Sequence, residues 1–277
     1  MRILVQIALA LATFSLTSNA AQDQEQILLW GFDRLAVSTS GKDQKDLVAR
    51  GQLRNVVAVS RSGDLLSVVA RPANAQGDGL SLVAIDSSNG AIRQTREIPG
   101  LARASISPDG KKIGLVTCGG SGCQFTVIEE ATGRAVTKVK LEATSSATIA
   151  WHPSGNQVAF DTPGKATTVL SLLDGTTFPI KGSGPSWKPD GMALAVIDER
   201  SVRLVDLKTR SYSPIATRYP WQTEFVAPLS WRRDGAVLLA NAPAGATGYK
   251  FDCFALDMPS GKVSTVFSGE LVCGPWL

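Results

Sequence analysis

The chain repeats itself, and the period of that repeat limits the folds open to it. Five times a strand-like run ends in a turn of one design: Ser60-Arg61-Ser62-Gly63, Ser107-Pro108-Asp109-Gly110, His152-Pro153-Ser154-Gly155, Lys188-Pro189-Asp190-Gly191 and Arg232-Arg233-Asp234-Gly235. Four residues before each glycine stands a large apolar residue: Val59, Ile106, Trp151, Trp187 and Trp231. A further copy, Gly274-Pro275-Trp276, ends the run, and the successive intervals at the apolar position are 47, 45, 36, 44 and 45 residues. Proline presets φ at the second turn position, aspartate tolerates the bridge and left-handed regions, and glycine supplies positive φ. A period of about 40–50 residues with several strands per unit is the mark of a β-propeller.

One unit shows the grammar. Ala102 to Ser107 reads as a first strand, Lys112 to Cys118 as a second, Gln124 to Glu129 as a third and Ala135 to Glu142 as a fourth. Second strands such as Ile113-Gly114-Leu115-Val116, Val158-Ala159-Phe160 and Leu194-Ala195-Val196-Ile197 are apolar on both faces, as strands between two neighbouring sheets must be. Fourth strands alternate, with Val139 and Leu141 set against Lys138, Lys140 and Glu142, so they belong on the rim, where charge blunts edge-to-edge pairing. Complete units begin near Val56, Leu101, Ala147, Gly184 and Pro228. Ile27 to Val48 reads as the outer three strands of a unit whose innermost strand is the segment around Leu271 to Trp276. The expectation is an all-β fold: a six-bladed β-propeller with four-stranded blades of about 43 residues each, its ring closed by joining the N- and C-terminal strands.

Residues 1–20 read as a secretory signal, with Arg2 in the charged region, Ile3 to Leu16 as a short apolar core and Ser18-Asn19-Ala20 as the cleavage site. Cleavage leaves residues 21–277 as one propeller domain, periplasmic or secreted, with no transmembrane segment. The 28 basic and 24 acidic residues are interspersed and form no basic stripe, which argues against nucleic acid as a partner. Four cysteines in an exported chain predict two disulfides: Cys118 with Cys123 across Gly119-Gly120-Ser121-Gly122, and Cys253 with Cys273 by elimination. One histidine and no short Cys-x-x-Cys spacing speak against zinc. The recurring aspartates of the second turns (Asp86, Asp174, Asp206 and Asp257) read as hairpin-turn residues, since the loops lack the dense carboxylates of a calcium site. No cofactor is expected.

Ser107-Pro108-Asp109-Gly110-Lys111-Lys112-Ile113, Trp187-Lys188-Pro189-Asp190-Gly191 and Val205-Asp206-Leu207 resemble the WD40-like repeats of the TolB propeller family, and the resemblance runs along nearly all of residues 21–277. It implies a periplasmic or secreted six-bladed propeller that docks other proteins. The α/β domain preceding the TolB propeller has no expected counterpart here, and two of the five turns lack the proline.

Little in the sequence points to catalysis. His152 occupies a turn position filled by Ser60, Ser107, Lys188 and Arg232 in the other units, so a turn role is expected of it. No Gly-x-Ser-x-Gly elbow or phosphate loop is present. Glu142, Asp161, Asp198, Glu199 and Glu224 fall outside the turn pattern and are the carboxylates from which an acid–base pair could be drawn. Trp151, Trp187, Trp231 and Trp276 share one register, which predicts packing between blades, whereas Trp30 and Trp221 do not. The irregular segment Ser213 to Ala227 carries Arg218, Tyr219, Trp221, Glu224 and Phe225, residue types that dominate interface energies, and these are the expected partner-binding residues. A second irregular segment, Pro243 to Phe251, lengthens the last complete unit. The expected protein is a monomeric, non-catalytic binding module that holds a protein or peptide partner on its loop face or in its central funnel. The alternative is a secreted carbohydrate-active lyase or hydrolase with a carboxylate site in that funnel.

Overall fold

The computed structural model describes residues 26–39, 43–62, 64–77, 79–120, 122–141, 148–162, 166–198, 201–216, 229–244 and 250–277. These hold 24 strands and no helix, arranged as six four-stranded antiparallel sheets. Each sheet is one repeat unit. The innermost strands, which we number as blades 1 to 6, are Leu53–Ser62, Leu101–Ile106, Ile149–Trp151, Ser183–Trp187, Ser230–Trp231 and Val272–Trp276.

The turns form as their residues dictate. The N–H groups of Gly110, Gly155, Gly191 and Gly235 donate to the carbonyls of Ser107, His152, Lys188 and Arg232 at 2.8–2.9 Å. Asp109, Asp190 and Asp234 accept the backbone N–H two residues on, from Lys111, Met192 and Ala236. Only glycine fits at 191: its φ is +72°, and a Cβ there would stand 2.4 Å from Nε2 of His152 on the preceding blade. Blade 1 departs from the others. Its first ladder runs on until Ser62 faces Leu65, and the strand bulges between Arg54 and Ala58. The second turns close as expected, with Asp86, Asp174, Asp206 and Asp257 accepting the backbone N–H of Ser88, Thr176, Lys208 and Ser260. Where that turn lacks glycine, Arg210 itself takes a φ of 57°.

Burial follows strand order. Second strands such as Gln157–Thr162 and Ala193–Asp198 have their apolar side chains buried on both faces, while the outer strands Ile92–Glu97 and Ala135–Leu141 face water. The core is divided into six apolar clusters, and each spans one junction between neighbouring blades. Between blades 2 and 3, for example, Phe125 stacks on Phe160 with ring centroids 4.2 Å apart. Clusters at all six junctions describe a ring with no open side.

Closure takes the expected route. Ile27–Gly31 pairs with Val272–Trp276, Leu29 opposite Cys273 and Trp30 opposite Val272, so segments from the two ends of the chain share blade 6. Cys253 and Cys273 stand at disulfide distance and tie blade 5 to that innermost strand, and Cys118 pairs with Cys123 across the second and third strands of blade 2.

Candidate functional site

The six innermost strands enclose a cavity of about 970 Å³ on the ring axis, and every blade contributes to its wall. Innermost strands are edge strands, and their free side faces the cavity or the next blade. The tryptophans exploit this. Trp151, Trp187 and Trp231 donate their indole N–H to the carbonyls of Ser105, Ala150 and Ser186, in each case on the innermost strand of the preceding blade. These side chains therefore pack between blades, as their register predicts, and they also line the channel. Trp276 holds the same register but its buried indole N–H has no acceptor, and the same is true of Trp30. Trp30, outside the repeat register, lines the channel because its strand pairs directly with Val272–Trp276.

Charge is distributed unevenly along the wall. Among the described residues the charged lining side chains are Arg61, Arg103 and Arg233 on one side of the balance and Asp64 on the other. Arg61 stands at the turn mouth and donates to the carbonyl of Trp276 at 2.7 Å. Burial lowers its pKa, the neighbouring Asp64 opposes that, and Arg233 adds like-charge repulsion. Arg103 lies inside the channel, partly buried, and donates to the Ala102 carbonyl at 2.8 Å. Its pKa is held below the usual arginine range by burial alone.

The carboxylates singled out by sequence have other occupations. Asp161 ties two blades together, accepting the backbone N–H of Thr148 at 3.0 Å and of Gly184 at 2.9 Å, with the Thr167 hydroxyl 3.3 Å away. Burial outweighs these bonds and pushes its carboxyl up to about 6. Asn241 occupies the same repeat position, six residues after the turn glycine, and pins the backbone of Cys273 in the same manner. Asp198 is buried and ion-paired with Arg203 and Lys181. Neither aspartate lines the channel, where Asp64 is the one carboxylate side chain among the described residues; glycoside hydrolysis uses two that converge. Glu142, Glu199 and Glu224 lie outside the described residues.

His152 is bound into its turn. Its Nδ1 accepts the Ser154 N–H at 3.0 Å, which leaves Nε2–H to donate to the Gly191 carbonyl at 3.2 Å, and the ring meets Trp187 edge-on at 4.6 Å. Among the described residues no group of three or more His, Cys, Asp or Glu side chains is placed to hold a metal ion. The expected partner-binding residues Arg218, Tyr219, Trp221, Glu224 and Phe225 lie outside the described residues. The next described residue after them, Leu229, lines the channel.

This architecture, a closed six-bladed propeller around a lined axial channel, defines a TolB-like fold. The chain is similar to TolB from Acinetobacter baumannii (TM-score 0.69, 14% identity), covering 91% of this chain and 66% of that one. It is also similar to a putative TolB from Agrobacterium tumefaciens, with a TM-score of 0.61 at 14% identity over 88% of this chain and 89% of that one. A functionally unknown protein from Desulfotomaculum acetoxidans DSM 771 has a TM-score of 0.53 at 17% identity, over 88% and 79% of the two chains. The chain thus spans just under two thirds of the Acinetobacter protein. No protein-family model and no curated protein matches the sequence.

Proposed function

We propose that this protein is an exported, non-catalytic binding module that holds a protein or peptide partner in its axial channel and at the channel mouths. The observation that carries this reading is the cavity itself: about 970 Å³ and walled by all six blades. A rigid ring with a preformed concave site suits binding, because little ordering is left to oppose association. The similarity of fold to TolB and two disulfide pairs support an extracytoplasmic location, periplasmic or secreted. Arg218, Tyr219, Trp221, Glu224 and Phe225, which lie outside the described residues, are the residues proposed to contact that partner.

Site-directed photocrosslinking tests the proposal. A benzophenone amino acid at Pro108, which lines the channel, should capture a partner in periplasmic extract, and the same group at Ile92 on the exposed outer strand of blade 1 should not. Equal yields from the two positions, or none from Pro108, would overturn the channel as the binding site.

A further inference from the structure

We infer that the channel is built for an acidic ligand, an extended peptide segment whose carboxylates meet the guanidinium groups of its wall, with Arg103 as the inner anchor. This rests on the channel being where the partner sits, and it adds the partner's chemistry.

The lining side chains carry three positive charges and one negative. Asp64 acts on Arg61, so it is already engaged at the mouth. Arg103 has no carboxylate within ion-pair distance among the described residues and makes one bond, to a neutral carbonyl. A guanidinium withdrawn from water and left without a counter-charge is unfavourable unless a ligand supplies one. Low-dielectric walls focus such a field along the axis. The unsatisfied polar groups of the lining do not compensate: the indole N–H groups of Trp30 and Trp276 are donors, and the Ser60 hydroxyl carries no charge.

The positions of the three arginines in the repeat suit an extended ligand. Arg61 and Arg233 each stand two residues beyond the repeat's apolar position, at the turn mouth, whereas Arg103 stands three residues before it. Five backbone positions, about 16 Å along an extended chain, separate the two levels, more than one small anion spans. One extended polypeptide, rising about 3.3 Å per residue, reaches both levels. The three arginines sit on blades 5, 1 and 2, which with blade 6 form a contiguous arc of the ring.

The test uses hexaglutamate, hexaglutamine, hexalysine and tripolyphosphate as probes, read by calorimetry and by fluorescence of the five tryptophans that line the channel. Hexaglutamate should bind more tightly than hexaglutamine, and hexalysine should not bind. Arg103→Gln should weaken hexaglutamate about 30-fold, as loss of a desolvated charge partner does. Arg233→Gln, at an exposed position where folding is not at risk, should weaken it by a smaller factor. Arg93→Gln, on the outer strand where Arg93 pairs with Asp86, should leave binding unchanged. Equal losses from Arg93→Gln and Arg103→Gln would overturn the inference in favour of diffuse charge attraction. Tripolyphosphate binding as tightly as hexaglutamate with the same Arg103 dependence would overturn it in favour of a phosphate chain. If benzophenone at Pro108 captures a partner with the same yield in the Arg103→Gln background, the channel reading stands and the acidic ligand falls. If Pro108 captures nothing, the channel reading itself falls.

Discussion

The junction between blades 5 and 6 is where a single side chain should weigh most on stability. Asn241 is 1% exposed, and its carboxamide takes both backbone groups of Cys273: Nδ2 donates to the carbonyl at 2.8 Å and Oδ1 accepts the N–H at 2.6 Å. The innermost strand of blade 6 is an edge strand, and a carboxamide has the donor–acceptor spacing of a peptide group. Asn241 therefore pairs with that edge as another strand would. Asn241→Ala removes both bonds and leaves the N–H and carbonyl of Cys273, itself fully buried, without partners. Each such group costs about 1–3 kcal/mol, so the loss should be about 2–6 kcal/mol. Against a total stability of about 5–15 kcal/mol this is a large fraction.

Asn241→Asp refines the test. Ionised, the aspartate still accepts the Cys273 N–H but sets a negative charge against the Cys273 carbonyl. Protonated, it restores both bonds. Its folded-state pKa should therefore rise above the unfolded value of about 3.9, so that its penalty is absent at low pH and grows as pH rises between those two values. Urea denaturation with disulfides intact, followed by tryptophan fluorescence, measures each variant's deficit relative to the wild type at about pH 4 and at about pH 7. A loss below about 1 kcal/mol for Asn241→Ala would refute the edge-pairing argument. So would an Asn241→Asp deficit that is equal at the two pH values.

Three further outcomes follow from the same structure. Asp161, raised to about 6 against an ordinary 3.8, destabilises the fold when ionised, so its contribution should fall by roughly 2 kcal/mol as pH rises from about 4 to about 6, a slope that Asp161→Asn removes in pH-dependent denaturation. Removing the Cys253–Cys273 bond, which spans 20 residues, should lower stability by about 1 kcal/mol more than removing Cys118–Cys123, which spans 5, as measured with paired Cys→Ala variants. Trp187→Ala should cost about 3–5 kcal/mol, since Trp187 is buried between blades and bonded to Ala150, whereas Trp221→Ala should lower partner affinity and leave the thermal midpoint close to that of the wild type.

The fold was legible because its instructions are local and repeated. Turn chemistry from Ser107 to Gly110 is decided within four residues, and its recurrence gives the period, the blade count and the incomplete unit at each end. Legibility falls off where partners lie on different blades. Asp161 and Asn241 each look like a stray polar residue at the end of an apolar strand, because their partners, Gly184 and Cys273, are 23 and 32 residues further on. Their shared offset from the turn glycine was the available sign. The channel charges were scattered for the same reason: Arg61, Arg103 and Arg233 belong to three units, and only curvature of the ring brings them to one wall. The tryptophan register was read as packing alone, yet the free side of an innermost strand borders both the neighbouring blade and the cavity, and a large ring on it meets both.

Closure and the channel share residues, and that links stability to binding. Arg61 on blade 1 lines the turn mouth and also donates to the carbonyl of Trp276 on blade 6. Trp30 and Trp276 form part of the closing sheet and of the channel wall at once. The seam joining the two ends of the chain is held by strand pairing and this arginine, with the Asn241 clamp and the Cys253–Cys273 bond fastening the C-terminal strand to blade 5, whereas continuous backbone links the successive blades around the rest of the ring. A ligand spanning blades 5, 6, 1 and 2 would bridge that seam from within. Because it binds the closed ring and not the opened one, it stabilises closure in proportion to its occupancy, by about 2.7 kcal/mol at a concentration one hundred times its Kd. The sequence thus places its least continuous junction where a bound partner can reinforce it, which makes occupancy of the channel readable as resistance of the seam to opening.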